Sequence, residues 1–97
     1  ARIQSPLFQL AMRPNRCTQA RFAFVAPRSA AKRASIRNLL RRRAREWVRK
    51  QRTILDSPFD YVLLFKKEAR PATRKKFYEE LARIFKQVSG PRGGKNP

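Results

Sequence analysis

Residues 34–46, ASIRNLLRRRARE, carry five arginines against a single glutamate, with apolar residues between them at helical spacing. Ile36, Leu40, Ala44, Trp47 and Val48 fall on one side at a period of 3.6, with Leu39 at the edge. Arg37, Arg41, Arg45 and Arg52 form a stripe facing away from that arc, with Arg42 and Arg49 beside it. A helix written this way has to bury one arc against the rest of the chain and offer the other to an opposite charge. No proline or glycine interrupts Ser29 to Arg52, so the helix is predicted over that span with Ser29 as its N-cap.

The remaining chain supplies what the helix packs on. "LFQLAMR", Leu7 to Arg13, is compatible with a strand and stops at Pro14-Asn15. "RFAFVAP" sets Phe22, Phe24 and Ala26 on one face before Pro27 closes it. The two segments are expected to be neighbouring antiparallel strands. "FDYVLLFKK", Phe59 to Lys67, is aromatic and β-branched enough for an interior strand. Thr73 caps a second helix with a stripe of Phe77, Leu81, Ile84, Phe85 and Val88, and Gly90-Pro91 is expected to stop it. The predicted fold is α+β: a small sheet of three to four strands with helices on one face, in the order β-β-α-β-α. Residues 1–89 form one domain and residues 90–97 a flexible basic tail. The chain opens without methionine, at "ARIQSP", so a segment ahead of it is expected.

Charge then narrows the partner. With 25 Lys+Arg against 6 Asp+Glu in 97 residues, the formal charge is +19, and self-repulsion on that scale is best relieved by a polyanion. Hydrophobic residues, 41% of the chain with seven Phe among them, indicate a folded core rather than a disordered basic tail. Nucleic acid fits better than an anionic membrane, because the apolar residues are committed to the core.

A run of charge on a helix is ordinarily a solvated face, but two features here favour a partner. Solvated faces mix signs to gain i,i+4 pairs, whereas this one sets arginine on arginine at i and i+4. Arginine also outnumbers lysine in the run, and its planar fork matches phosphate.

Nothing in the chain has the pattern of protein catalysis. There is no histidine, and Cys17 is single, as a bystander in a loop of a reducing, cytoplasmic protein would be. The acidic residues are scattered, and Glu79–Arg83 and Glu80–Lys76 have helical ion-pair spacing. Trp47 reads as core rather than as a base-stacking platform. Tyr61 is open between core and sheet surface. Arg43, inside the apolar arc, either snorkels or pairs with a carboxylate such as Glu80.

The arginine run also resembles the signature of the bacterial ribonuclease P protein component. The matching positions are Ala34, Arg37, Asn38, Leu39, Leu40, Arg41, Arg42, Arg45 and Glu46. "SPLFQLAMRPN" resembles the family's first strand, "RFAFVAPRSAAKRA" its second strand and basic turn, and "FDYVLLFKKEARPAT" its third strand and the approach to the last helix. The likeness extends from Ser5 to Val88. Leu39 stands where the family usually has a second arginine after the asparagine, and Ala11 where an aromatic often lines the cleft for the 5′ leader. The turn between Arg28 and Arg37 is one residue longer than usual, and the family's N-terminal helix is absent.

The resemblance implies a left-handed crossover from the second strand through the arginine helix to the third. It also implies an accessory role in Mg²⁺-dependent endonucleolytic removal of 5′ leaders from precursor tRNA. Catalysis would then belong to the RNA subunit, which would hold most of the Mg²⁺, and the chain would have no catalytic or metal-binding residue of its own. The partners implied are that catalytic RNA and precursor tRNA, with no membrane and no required protein partner. Arg28, Lys32, Arg33, Arg37, Asn38, Arg41, Arg42 and Arg45 would bind RNA. Gln9, Arg13, Arg21 and Ala23 are candidates for the leader. The competing reading is a ribosomal or other ribonucleoprotein-assembly protein that uses the same helix with no part in cleavage.

Overall fold

A computed structural model of the protein describes residues 2–95, with side chains described through residue 87. Its elements are β1 (Arg2–Gln4), β2 (Phe8–Pro14), β3 (Arg21–Val25), α1 (Ala34–Arg49), the short α2 (Arg52–Leu55), β4 (Phe59–Phe65), a 3₁₀ turn (Lys67–Ala69) and α3 (Arg74–Lys95). The strands form one four-stranded mixed sheet in the order β1-β2-β4-β3. The fold is thus α+β as the sequence predicts, with β1, ahead of β2, as the fourth strand.

The expected antiparallel pairing of β2 with β3 does not occur. β4 lies between them, antiparallel to β2 and parallel to β3. The connection from β2 to β3 holds to the far end of β4 instead of turning tightly. Asn15 N–H donates to Pro58 O and Ala20 N–H to Leu55 O, each at 2.9 Å. The side chains of β4 favour this central place. Tyr61, Leu63 and Phe65 are buried on one face, while Val62 and Leu64 make the other face apolar as well. β3 and β4 are therefore parallel neighbours, and α1 and α2 form the crossover between them.

Strand alternation divides the sheet into a covered face and an open one. Phe8, Leu10 and Met12 of β2 share the covered face with Tyr61, Leu63 and Phe65 of β4. Against them pack Leu40, Ala44 and Val48 of α1 and Phe77, Leu81, Ile84 and Phe85 of α3. Edge-on ring contacts of Phe8 with Phe65 (5.8 Å) and Phe77 (5.1 Å) tie strands to helix. Tyr61 belongs to this core and is 2% exposed, its hydroxyl 3.0 Å from Ser57 Oγ. Trp47 lies half-buried against Phe85, as core packing predicts.

The first helix is shorter at both ends than its pattern suggested. Ser29 is not its cap: residues 27–31 form a turn in which Pro27 O accepts from Ala30 and Ala31 N–H, and Arg33 takes the cap position. That turn inserts Ala30 and Ala31, 2% and 4% exposed, into the core, which an uninterrupted helix would carry past. At the other end Gln51 leaves helical geometry (φ −101°, ψ 83°), and α2 delivers Ile54 to the core.

Thr73 caps α3 as predicted, its Oγ1 accepting from Lys76 N–H at 3.1 Å. The helix then continues through Gly90-Pro91 to Lys95. Proline withdraws one backbone donor, and here that loss does not end the helix. The tail predicted for residues 90–97 thus overlaps the helix. The Val88 side chain and residues 96–97 lie outside the described residues.

Arg43 resolves differently from both alternatives left open by the sequence. Its guanidinium lies over the Phe77 ring at 5.8 Å, and its Nε is buried without a hydrogen-bond partner. Glu80, 1% exposed, is held through Oε2 by Lys76 at 3.3 Å and by Arg83 at 3.8 Å. Arg83 thus reaches Glu80 rather than the Glu79 its spacing also allowed.

Candidate nucleic-acid interface

The arginines of α1 divide into two groups with different work. Arg37 is half-buried, and its Nη1 donates to the carbonyls of Ala31 (3.0 Å) and Lys32 (2.7 Å), binding the preceding turn to the helix. Arg41, also half-buried, donates from Nε to Phe24 O at 3.3 Å and from Nη1 to Asn38 Oδ1 at 2.7 Å. These two hold the helix to the turn and to β3. Asn38, Arg42 and Arg45 are exposed and line a shallow hollow with Ser35, Leu39 and Arg41. Asn38 uses its side-chain oxygen to accept from Arg41. Arg45 lies over the Phe24 ring at 5.6 Å, which steadies a long side chain without using its N–H groups. Arg52 leaves the predicted stripe because it belongs to α2, where it faces Asp56 at 3.9 Å. Arg28, Lys32 and Arg33 are exposed in the turn before α1.

The four leader candidates come together on the open face of the sheet. Register sets three rows across it: Arg13–Asp60–Arg21, then Arg2–Ala11–Val62–Ala23, then Gln4–Gln9–Leu64–Val25. The first row is charged; beyond Arg2 the middle row is apolar, with Val62 41% exposed, and Val25 in the third row is 39% exposed. Ala11, Arg13, Arg21, Ala23, Asp60 and Val62 line a groove there. Gln9 is engaged by Gln4, whose Nε2 donates to its Oε1 at 2.8 Å. The contributions of β1 and of Asp60 were missing from the sequence-based site. Asp60, Val62 and Leu64 were legible as the alternate positions of β4, whereas β1 is too short to leave a pattern.

Asp60 organises the charged end. Arg21 donates to both its oxygens at 2.8 Å, Asn15 Nδ2 to Oδ1 at 2.8 Å, and Arg13 stands 3.9 Å away. Arg21 first, then Asn15, hold the Asp60 carboxyl at about 2, well below the usual carboxylate range, and the same pairing raises Arg21. The folded value lies below the unfolded one, so this pairing supports the fold fully above about pH 4 and is lost as the pH falls towards 2. An NMR titration of the Asp60 carboxyl carbon should give a midpoint near 2, moved upward by Arg21→Ala; a midpoint near 4 in the intact protein would contradict the arrangement.

Magnesium needs a compact set of oxygen ligands. Both oxygens of Asp60 are occupied by Arg21 and those of Glu80 are buried, and among the described residues no group of three or more His, Cys, Asp or Glu could hold a metal ion. Cys17 is exposed, its N–H held by Asn15 Oδ1 at 2.8 Å in a local turn. Among the described residues no helix is long and apolar enough to cross a membrane.

Known proteins resemble this chain in fold and in sequence. A Thermotoga maritima RNase P protein, solved in complex with 1-(4-fluorophenyl)-2-thiourea, superposes with a TM-score of 0.81 at 24% identity, covering 91% of this chain and 85% of that one. A Staphylococcus aureus RNase P protein mutant with defective mRNA degradation activity gives a TM-score of 0.83 at 18% identity, covering 92% and 75%. At these identities the likeness establishes the fold. The ribonuclease P protein component of Azoarcus sp. (strain BH72) is 38% identical over 78 residues, 80% of this chain, which spans 64% of that relative's length. The family model described as Ribonuclease P matches residues 1–89, so the chain belongs to the Ribonuclease P family.

Proposed function

We propose that the protein is the accessory subunit of a ribonucleoprotein endonuclease that removes 5′ leaders from precursor tRNA in the cytoplasm. In this reading α1 docks on the backbone of a catalytic RNA and the open sheet face receives the leader. The RNA performs the cleavage, with Mg²⁺ held by RNA phosphates.

The observation that carries this reading is the way the two surfaces meet on β3. Phe24 takes Arg41 on its carbonyl and Arg45 on its ring, while the neighbouring residues Ala23 and Val25 stand exposed on the open face. RNA on the arginine ridge and a single strand on the sheet would be separated by the width of one β-strand. The exposed cations also do part of the screening that Mg²⁺ otherwise does, so the assembled complex would need less of it. A single strand is ordinarily held by a basic groove and by aromatic rings on which its bases stack; the rows from Arg13 to Val62 offer cations and, in place of rings, the small apolar surface of Ala11, Val62 and Ala23.

Ala23→Glu tests the leader half of the proposal, because it sets a carboxylate in the middle of the groove without touching the core. The reconstituted complex should then lose its preference for precursor over mature tRNA by about tenfold, while the variant still binds the catalytic RNA. An unchanged preference would remove the sheet face from leader binding.

A further inference from the structure

A second basic concavity adjoins the N-terminal end of α1. Arg28, Lys32 and Arg33 of the turn before α1 form one side, Lys67 and Arg70 of the turn after β4 the other, with Ile36 between them. All five cations are exposed, and none of the residues lining the hollow is acidic. At three other places a carboxylate stands among the cations: Asp60 between Arg13 and Arg21, Asp56 beside Arg52, Glu80 beneath Lys76 and Arg83; this hollow instead shares with the hollow on α1 a lining without any acidic residue. Glu68, in the same turn as Lys67, is exposed and does not line the hollow.

Both walls are fixed before any ligand arrives. Ala30 and Ala31 anchor the first in the core, and Arg37 clasps its carbonyls from α1. The second is pinned by Ala69, fully buried, and by Lys66, whose N–H donates to Leu7 O at 2.9 Å and whose Nζ donates to Ser5 O at 2.8 Å. The backbone that carries the five cations is therefore held in place, so a polyanion that enters meets a concavity already formed.

We propose that this basin binds consecutive backbone phosphates of the same catalytic RNA, with Lys67 and Arg70 as contacts that extend the interface from α1 across the turn to the end of β4. The inference rests on the RNA-docking role proposed above. Neither Lys67 nor Arg70 lies in the arginine motif, and only the fold brings them to Arg28 and Lys32.

The test compares salt dependence of binding to a bacterial RNase P RNA for four proteins: wild type, Lys67→Gln/Arg70→Gln, the charge-keeping Lys67→Arg/Arg70→Lys, and Lys75→Gln/Lys86→Gln as a charge-matched control on exposed α3 positions. Two lost phosphate contacts should lower the slope of log affinity against log salt by roughly two for the first pair alone. The charge-keeping pair should retain it and so show that the turn still folds. A slope for Lys67→Gln/Arg70→Gln equal to wild type, or lowered no more than in the control, would overturn the basin and leave the α1 interface standing. A wild-type protein with no salt-dependent affinity for the RNA would overturn the docking role and the basin together.

Discussion

Replacing Arg42 and Arg45 together by alanine should weaken binding to the catalytic RNA about a hundredfold near physiological salt, at almost no cost in protein stability. Each side chain is exposed on the outer face of α1, and neither has a carboxylate partner among the ion pairs described above. A lost phosphate contact costs about 1–2 kcal/mol, so two bring the loss to about 3 kcal/mol and lower the salt slope by roughly two. Arg37→Ala should do the reverse. It removes two hydrogen bonds to the carbonyls of Ala31 and Lys32, lowering unfolding free energy by about 1–2 kcal/mol. Thermal unfolding beside filter binding separates the two. A variant pair at Arg42 and Arg45 that loses stability but keeps affinity would show the ridge to be structural.

Phe77→Ala should have the largest effect on the folded chain. Phe77 is fully buried, packs edge-on to Phe8 at 5.1 Å, lies 6.2 Å from Phe65, and carries the Arg43 guanidinium on its ring. Truncating it leaves a cavity where β2, β4 and α3 meet and leaves Arg43 without its ring contact. The expected loss is about 3–5 kcal/mol, against a total of roughly 5–15 kcal/mol for a domain of this kind. The melting temperature should fall by on the order of 20 °C. Saturating RNA should recover part of that fall, because a partner that binds only the folded chain draws the equilibrium towards it. A shift of a few degrees would show that the three phenylalanines are not the keystone of the core.

How much of this was legible in the sequence varies with how local the cause is. The buried arc of α1, the Thr73 cap and the alternation of β4 are written at short range, and each is found where its residues put it. Strand order is not written at short range. β2 and β3 are consecutive and separated by a polar turn, so a hairpin was the natural reading. The segment from Asn15 to Ala20 instead bonds to Pro58 and Leu55, some forty residues away. The same limit applies to the interface. Charge and spacing marked the arginines of α1, yet not that Arg37 and Arg41 are turned onto backbone carbonyls while Arg42 and Arg45 face out. Of the basin, the wall at Arg28, Lys32 and Arg33 was marked in the sequence, but Lys67 and Arg70 were not, since their turn lies more than thirty residues further along the chain.

The function proposed above has the protein assist an RNA that does the cutting. It is tested most directly by incubating precursor tRNA at low Mg²⁺ with the purified protein alone, with the catalytic RNA alone, and with both. The account predicts cleavage at the 5′ end of the mature tRNA only where both are present, and cleavage by the RNA alone once Mg²⁺ is raised. Cleavage by the protein alone, or RNA activity at low Mg²⁺ that the protein leaves unchanged, would contradict it.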